Sequence, residues 1–391
     1  MTLPPLWKVR RELVRIWVKL GLVLGRWLYD PVRKPVYDLT VQWRQRLTQG
    51  SFPLTDRVAV FLVFQPKGIP PSIFLTLEHL RQNRFSVLLV SNGALRPEDR
   101  TRLASNAALV LERPNVGYDF GGYRDGIRHL WSMKHDLSLL VLMNDSTWFP
   151  LRRDDDSLAR MEALEADLAG HIFKTESEEK RGKDHVESHL LMISKDFLQS
   201  TDFNRFWSDY QMSDYRVTTI DKGEKGFSQV ALSSGRKVTA LMDRERMIDA
   251  LRSLNDVDLR IVLDHTIDGF RGREQDASAI RRSAGQGERW RDAYFTWIDQ
   301  SLSNSGTFMI SATFVMPALL YLGMGFAKKA KDIRFHQARE ELLDLEASGM
   351  LPPIDDLVRA EISASVQYWT PPKGLEAIAK KRTSSPLPIS G

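Results

Sequence analysis

Residues 58–64 read Val-Ala-Val-Phe-Leu-Val-Phe, and residues 85–93 read Phe-Ser-Val-Leu-Leu-Val-Ser-Asn-Gly. The first is a short, unbroken apolar run, and the second is a strand-like apolar stretch that ends at Asn92-Gly93. That is the pattern of a strand buried on both faces of a parallel sheet, not of one with a wet side. Between them Gly68, Pro70 and Pro71 open a helical stretch, Ser72 to Arg84. The alternation continues outward: Arg96 to Ser105 reads as a helix, Ala108 to Leu111 as a strand, Gly121 to Lys134 as a helix, and Leu137 to Met143 as a fourth strand. Strands and helices alternating at this spacing predict an α/β fold with a wound, mostly parallel, Rossmann-like sheet. Ligands of such sheets bind beyond the carboxyl ends of the strands. Here those ends are Phe64-Gln65, Ser91-Asn92-Gly93, Asn115-Val116-Gly117 and Asn144-Asp145-Ser146.

Farther along, Asp154 to Gly170 reads as a helix and Glu176 to His185 as a charged loop. His189 to Ser194 reads as a strand, and a helix runs through Phe203 to Trp207. Residues 243–300 are charge-rich and mostly helical. Phe308 to Ala327 carries no charge, but Pro317, Gly323 and Gly325 interrupt it. A buried element is expected there in preference to a membrane span. The tail after Pro371 is expected to be disordered.

The chain has 391 residues, 27% of them charged and 42% hydrophobic, which fits a folded globular protein. It has no cysteine, which excludes disulfides, thiolate metal sites and a thiol nucleophile. The net charge of +5 is uneven. Residues 1–50 hold ten Lys/Arg and three acids, a net +7, so residues 51–391 carry −2. A body of that charge argues against a nucleic-acid partner. On a helix, residues 6–29 place Lys8, Arg11, Glu12, Arg15, Lys19 and Arg26 on one face and Trp, Leu, Val and Ile over the rest. A basic stripe opposite a Trp/Leu face suits a helix lying in a membrane interface. The same helix could instead pack on the protein's own body. Three regions are expected: a basic amphipathic arm (1–50), a main domain (51–335) and a helical C-terminal extension with its tail (336–391).

Three segments could carry chemistry. Residues 115–126, Asn-Val-Gly-Tyr-Asp-Phe-Gly-Gly-Tyr-Arg-Asp-Gly, put four glycines at a strand-to-helix junction. There backbone can approach a ligand and helix-end amides favour an anion. The bland alternative is a glycine-rich turn capped by Asp119. Asn144-Asp145-Ser146 offers one carboxylate between two neutral oxygen donors, for Mg²⁺ or Mn²⁺ or for sugar hydroxyls; it equally suits an Asx turn. Gly223-Glu224-Lys225-Gly226 places an acid at a helix start, where it can serve as a general base or simply match the helix dipole. His185 and His189 lack a third ligand at zinc-site spacing, which speaks against zinc.

The order of these landmarks, with Glu187-Ser188-His189 and Phe206-Trp207, resembles the rhamnan-synthesis F-type proteins, bacterial glycosyltransferases of surface-polysaccharide assembly. The resemblance covers about residues 56–335. Asn304-Ser305-Gly306-Thr307-Phe308 and Gly325-Phe326-Ala327-Lys328-Lys329 look like that family's C-terminal motifs with substitutions. The same landmarks look like a divergent GT-A sugar transferase with helical N- and C-terminal extensions. The resemblance implies a nucleotide-sugar donor, by analogy dTDP-rhamnose, with its base held near Phe64, Gln65, Asn92 and Gly93. Asn115, Gly117, Asp119 and Arg124 would lie over its diphosphate. The metal motif Asp-x-Asp falls on Asn144-Asp145-Ser146 without its outer acids, leaving Asp145 as the one candidate ligand. For inverting chemistry Glu224 would be the base, with Asp221 in reserve. The implied acceptor is a glycan, lipid-linked or lipopolysaccharide-like, at the cytoplasmic face of the inner membrane. The rival reading is a transferase-shaped scaffold that lost its acids and binds glycan or organises a membrane assembly.

Overall fold

The computed structural model describes residues 30–41, 44–175, 184–267, 274–284, 289–305 and 310–370. The expected helix at 6–29, most of the charged loop after Glu176 and the tail after Pro371 lie outside these residues.

The chain forms two compact units. One runs to Asp145 and adds Ala159–Lys174 and the segment ending at Ala240; the other holds Ser146–Leu158 and the chain from Leu241 onward. Along the chain the first unit ends at Ala240. The helices of residues 243–300 pack with the C-terminal ones, because their apolar faces (Met247, Leu251, Leu259, Val262) are buried within that second unit.

In the first unit the strands are β1 (Arg46–Gln49), β2 (Arg57–Val63), β3 (Ser86–Ser91), β4 (Leu109–Glu112) and β5 (Leu139–Asn144). The short β6 (Thr147–Trp148) belongs to the second unit. Then come β7 (Leu168–Lys174), β8 (His185–Val186), β9 (Leu190–Ser194) and β10 (Val238–Met242). The sheet order is β1-β4-β3-β2-β5-β9-β7-β10, with β8 paired to β7. β4, β3, β2 and β5 run parallel, with Val60 between Leu88 and Leu142. β1 and β9 join the two sides of this core antiparallel. The helices α1 (Pro71–Gln82), α2 (Pro97–Ala104) and α3 (Tyr118–Ser132) connect the parallel strands. Proline opens α1 and α2, where its missing N–H has no intrahelical partner to lose. The apolar runs are buried as their composition demands: Val58, Ala59, Val60, Val63, Leu88, Leu89, Val90, Leu140 and Val141 have no solvent exposure.

One expectation changes. Asp154 to Gly170 is not one helix: α4 spans only Ser157–Glu162, and Leu168–Lys174 is β7, whose Leu168 and Ile172 are buried. Arg46–Gln49, within the expected arm, forms β1, the edge strand beside β4.

The glycines of 115–126 also find a different use. A Cβ at Gly122 would stand 2.3 Å from Leu62, and one at Gly126 2.7 Å from Val60. These two glycines let α3 lie directly on β2. Gly117, with φ +79°, makes the turn into α3, a backbone shape that L side chains resist.

Behind the sheet edge, the segment Asp30–Val41 roots the arm in the unit. Tyr37 is 2% exposed, and its hydroxyl donates to Asp125 Oδ2 at 2.5 Å. Burial pushes that phenol up to about 12. Arg113, fully buried, donates from Nε to Asp125 Oδ2 at 2.6 Å and from Nη2 to the Val116 carbonyl at 2.8 Å; its Nη1 reaches Asn92 Oδ1. Arg124 clasps Asp38 through two bonds of 2.9 and 2.7 Å, and Arg128 adds a third at 2.8 Å. Burial works to raise the Asp38 pKa, but the two guanidiniums outweigh it and hold the carboxyl below its usual range. A depressed carboxylate pKa stabilises the fold above the group's unfolded pKa, and that stability is lost as pH falls through the folded one. Asp38→Asn should therefore lower the melting temperature at neutral pH, and the gap to wild type should close below the ordinary carboxylate range. A gap that stays constant in a pH series of thermal melts would refute this.

In the second unit β6 pairs antiparallel with β11 (Ala327–Lys328). Around it pack α5 (Arg244–Arg252), α6 (Asp256–Asp264), α7 (Ile310–Thr313), α8 (Val315–Tyr321), α9 (Ile333–Ala347) and α10 (Asp356–Gln367). The uncharged stretch near 310–321 is two short helices with Ile310, Val315, Met316 and Pro317 buried, as expected of an internal element. Among the described residues no helix is long and apolar enough to cross a membrane. The Trp148 indole donates to Glu361 Oε2 at 2.8 Å, and Lys329 Nζ sits 5.2 Å from its ring centre.

Candidate functional site

The four carboxyl strand ends meet at one rim of the first unit. Asn92 N donates to the Val63 carbonyl, and Asp145 N to the Leu62 carbonyl. Asp145 Oδ2 accepts from Phe64 N at 2.9 Å and from Gln65 Nε2 at 2.7 Å. Asn144 Nδ2 donates to Asp119 Oδ2 at 3.0 Å. Asn92, 3% exposed, bonds Arg113 and leans toward the Tyr118 carbonyl at 3.4 Å. Phe64 is 48% exposed, Asn115 is exposed, and Gly93 opens onto free space.

A second cluster joins this rim through Tyr123 on α3. Its hydroxyl donates to the Ser188 carbonyl at 3.0 Å and bonds Asn144. Burial, then the charges of Asp119, Glu224 and Asp145, push its pKa well above the usual value, so it stays a donor. Ser188 in turn donates from N at 2.8 Å and from Oγ at 2.6 Å to Glu224 Oε2. His185 Nε2 lies 3.5 Å from Glu224 Oε1, leaving that carboxylate 19% exposed. Glu224 and Asp221 stand on a π turn (Ile220–Lys225) just before the helix Gly226–Ser233. The turn reaches the rim because Gly223 lies flat on Phe120, where a Cβ would be 2.7 Å from the ring. Phe120 also stacks on Trp207 at 5.7 Å and 12°. The Glu-Ser-His and Phe-Trp motifs thus both serve to seat Glu224.

Several site residues are not where the sequence reading put them. Arg124 does not face the rim; it is 1% exposed and bound to Asp38 on the arm's root. The Gly117 amide is taken by Asp214 Oδ1 at 2.9 Å, so a carboxylate already stands where a phosphate would. Ser146 belongs to the second unit, where its carbonyl accepts Lys329 N at 2.8 Å. Among the described residues no three acids or histidines gather as ligands, and Asp145 Oδ2 holds the Phe64 amide and the Gln65 side chain. His185 and His189 do not form a pair: His185 faces Glu224, and His189 bonds His171 at 3.1 Å. Tyr123, Ser188, Asp214 and Arg113 were missed as site residues. Ser188 and Tyr123 had a local signal, each through its motif; Asp214 and Arg113 carried none.

The sequence comparisons bear on this geometry. Residues 87–262 match the family described as rhamnan synthesis protein F. The match supports the family read from the motifs. The rhamnan-synthesis F match runs from β3 into α6, taking in Asn92, Asn115, Tyr123, Asp145, Ser188 and Glu224, and ends before the motifs at 304–329. A protein of Sinorhizobium fredii (strain NBRC 101917 / NGR234), uncharacterized protein y4gN, is 29% identical over 359 residues, 91% of this chain and 91% of its own. Rhamnan synthesis is polysaccharide biosynthesis, and that is the process to which the family points.

Proposed function

We propose that the first unit is a GT-A-like glycosyltransferase that moves a sugar, by family analogy rhamnose, from a nucleotide donor to a hydroxyl of a surface-polysaccharide or lipid-linked glycan. One observation carries this reading: Tyr123 ties the strand-end rim to the acid Glu224 through Asn144 and Ser188. Phe64, Asn92 and Gly93 would line the donor base, and Asn115 with the amides of α3 its diphosphate. Glu224 Oε1, the oxygen not bonded by Ser188, takes the proton of the acceptor hydroxyl as that oxygen attacks the anomeric carbon. The nucleoside diphosphate leaves with the bond electrons, its charge eased by the start of α3. No step is routed through a metal.

A thermal-shift series with dTDP-rhamnose and other nucleotide sugars tests the reading, since a ligand that binds only the folded state raises apparent stability. Failure of every nucleotide sugar to shift the melt would defeat it. Asp214 adds a prediction. Its carboxylate competes with the donor phosphates for the Gly117 amide, so Asp214→Asn should tighten nucleoside diphosphate binding about threefold to tenfold. Calorimetric titration showing weaker binding would place Asp214 among the donor's own contacts.

A second reading also has an observation behind it. The side chains of Asp119 and Asp145 are bonded to Asn144, Phe64 and Gln65, as in a scaffold that kept the fold and lost the chemistry. Donor binding without hydrolysis or transfer would favour it.

A further inference from the structure

The helix Thr201–Asp209 has two faces with different uses. Phe203 and Trp207 are buried in the core of the first unit. Asp202, Arg205, Phe206 and Asp209, at steps of three, one and three, share a separate face. That face, with Tyr210 at its end and Lys222 on the π turn, lines a cleft of about 590 Å³ against the helix Gly226–Ser233. Small-molecule sites span ~300–1,000 Å³, so the cleft is large enough to be one.

The lining selects a class of ligand. Two carboxylates, Asp202 and Asp209, stand with two cations, Arg205 and Lys222, and among the described residues none of the four is in an ion pair. A phosphate would meet the cations but also both acids. An apolar ligand would strand all four charges away from water. A neutral polyol suits them, because its hydroxyls donate to the carboxylates and accept from the cations. Beside these charges stand Phe206, half-buried, and Tyr210, with ring centroids 5.7 Å apart and a tilt of 35°. The C–H face of a sugar ring packs on aromatic surface of this kind.

We propose that this cleft is a saccharide-binding subsite and holds part of the acceptor glycan. Lys222 stands on the turn that carries Glu224, and Phe206 packs on Phe227 just past it, with ring centroids 5.0 Å apart. A glycan held in the cleft lies against the same turn as the proposed base. The acceptor role rests on the proposed function. Saccharide binding does not, since a scaffold that transfers nothing would still hold the glycan.

Saturation-transfer NMR titrations of the full chain with short rhamnan oligosaccharides test this. Wild type should pass saturation to the ring C–H protons of the sugar. Asp202→Asn/Asp209→Asn and Arg205→Gln/Lys222→Gln should each weaken binding at least about tenfold, as loss of hydrogen bonds to charged groups implies. Phe206→Leu keeps apolar bulk but loses the ring, and should weaken binding about threefold to tenfold. Glu98→Gln, at an exposed acid on α2, should bind as wild type does. Thermal melts check the fold of each variant. A dTDP-rhamnose shift on the same proteins reads donor binding separately and should be equal in all of them. No transfer from wild type to the oligosaccharide would overturn the proposal, whatever the donor does. So would wild-type saccharide affinity in the cleft variants, or loss of their dTDP-rhamnose shift, because the cleft would then belong to the donor. Oligosaccharide binding by a wild type that binds no nucleotide sugar would uphold the cleft and defeat the transferase reading.

Discussion

Arg113→Met should destabilise the first unit by about 3 kcal/mol, because it takes from the buried Asp125 carboxylate its directly bonded cation and leaves only Arg124, with Nη1 at 3.8 Å, as counter-charge. Asp125 is 3% exposed and Arg113 fully buried, so water cannot replace the lost partner. For a unit of this size the melting temperature should fall by about 10 °C. The loss should reach beyond stability. Arg113 also holds Asn92 and the Val116 carbonyl, so nucleotide-sugar binding should weaken even at temperatures where the variant is folded. Adding Asp125→Leu should recover part of the stability, since it removes the stranded charge, but not the binding. Unaltered melting and donor shift in Arg113→Met would show that the cluster does not support the rim. The same cluster predicts that a chain starting at Gly50 folds poorly, because it lacks Tyr37, Asp38, Gln45 and β1 together.

Glu224→Gln should leave the fold intact and remove catalysis. A glutamine carbonyl oxygen can still accept from Ser188 N and Oγ, so the melting temperature should stay within a degree or two of wild type by the usual small effect of such changes. The amide cannot take the acceptor proton, and kcat for transfer should fall about 10²- to 10⁴-fold, the span that a positioned base contributes. Donor affinity should be unchanged, because Glu224 is assigned to the acceptor. Ser188→Ala should give a smaller loss, since it removes one of two bonds that orient Glu224 Oε2. Transfer at the wild-type rate by Glu224→Gln would end the assignment, and Asp221→Asn is then the next variant to assay.

Much of the parallel core could be read directly, for a physical reason. β2, β3, β4 and β5 are buried on both faces, so their middle positions are apolar and polar residues such as Ser86, Ser91, Glu112 and Asn144 fall at their ends. β1 escaped notice because its Arg46-Leu47-Thr48-Gln49 is an exposed edge strand. β7 escaped because Gly170 and His171 interrupt its apolar pattern. That glycine is required there, since a Cβ at Gly170 would stand 2.1 Å from Val186. The rim was legible because strand ends follow from the strands. Arg124 was misplaced because sequence cannot tell which side of α3 a side chain takes, and its partner Asp38 lies 86 residues earlier. Glu224 was proposed from its helix-start position, and it stands on the turn just before the helix Gly226–Ser233. Its holders, Ser188 and His185, come from the other side of the sheet's antiparallel extension, a pairing that no local pattern encodes.

The seating of α3 on β2 through Gly122 and Gly126 has one more consequence. With no side chain to act as a cushion, helix and strand have no slack between them, and neither can drift without dragging the other. Under the proposed function, a change in nucleotide preference would then have to come from the tips, such as Phe64, Gly93 and Asn115, while the platform that carries them stays fixed.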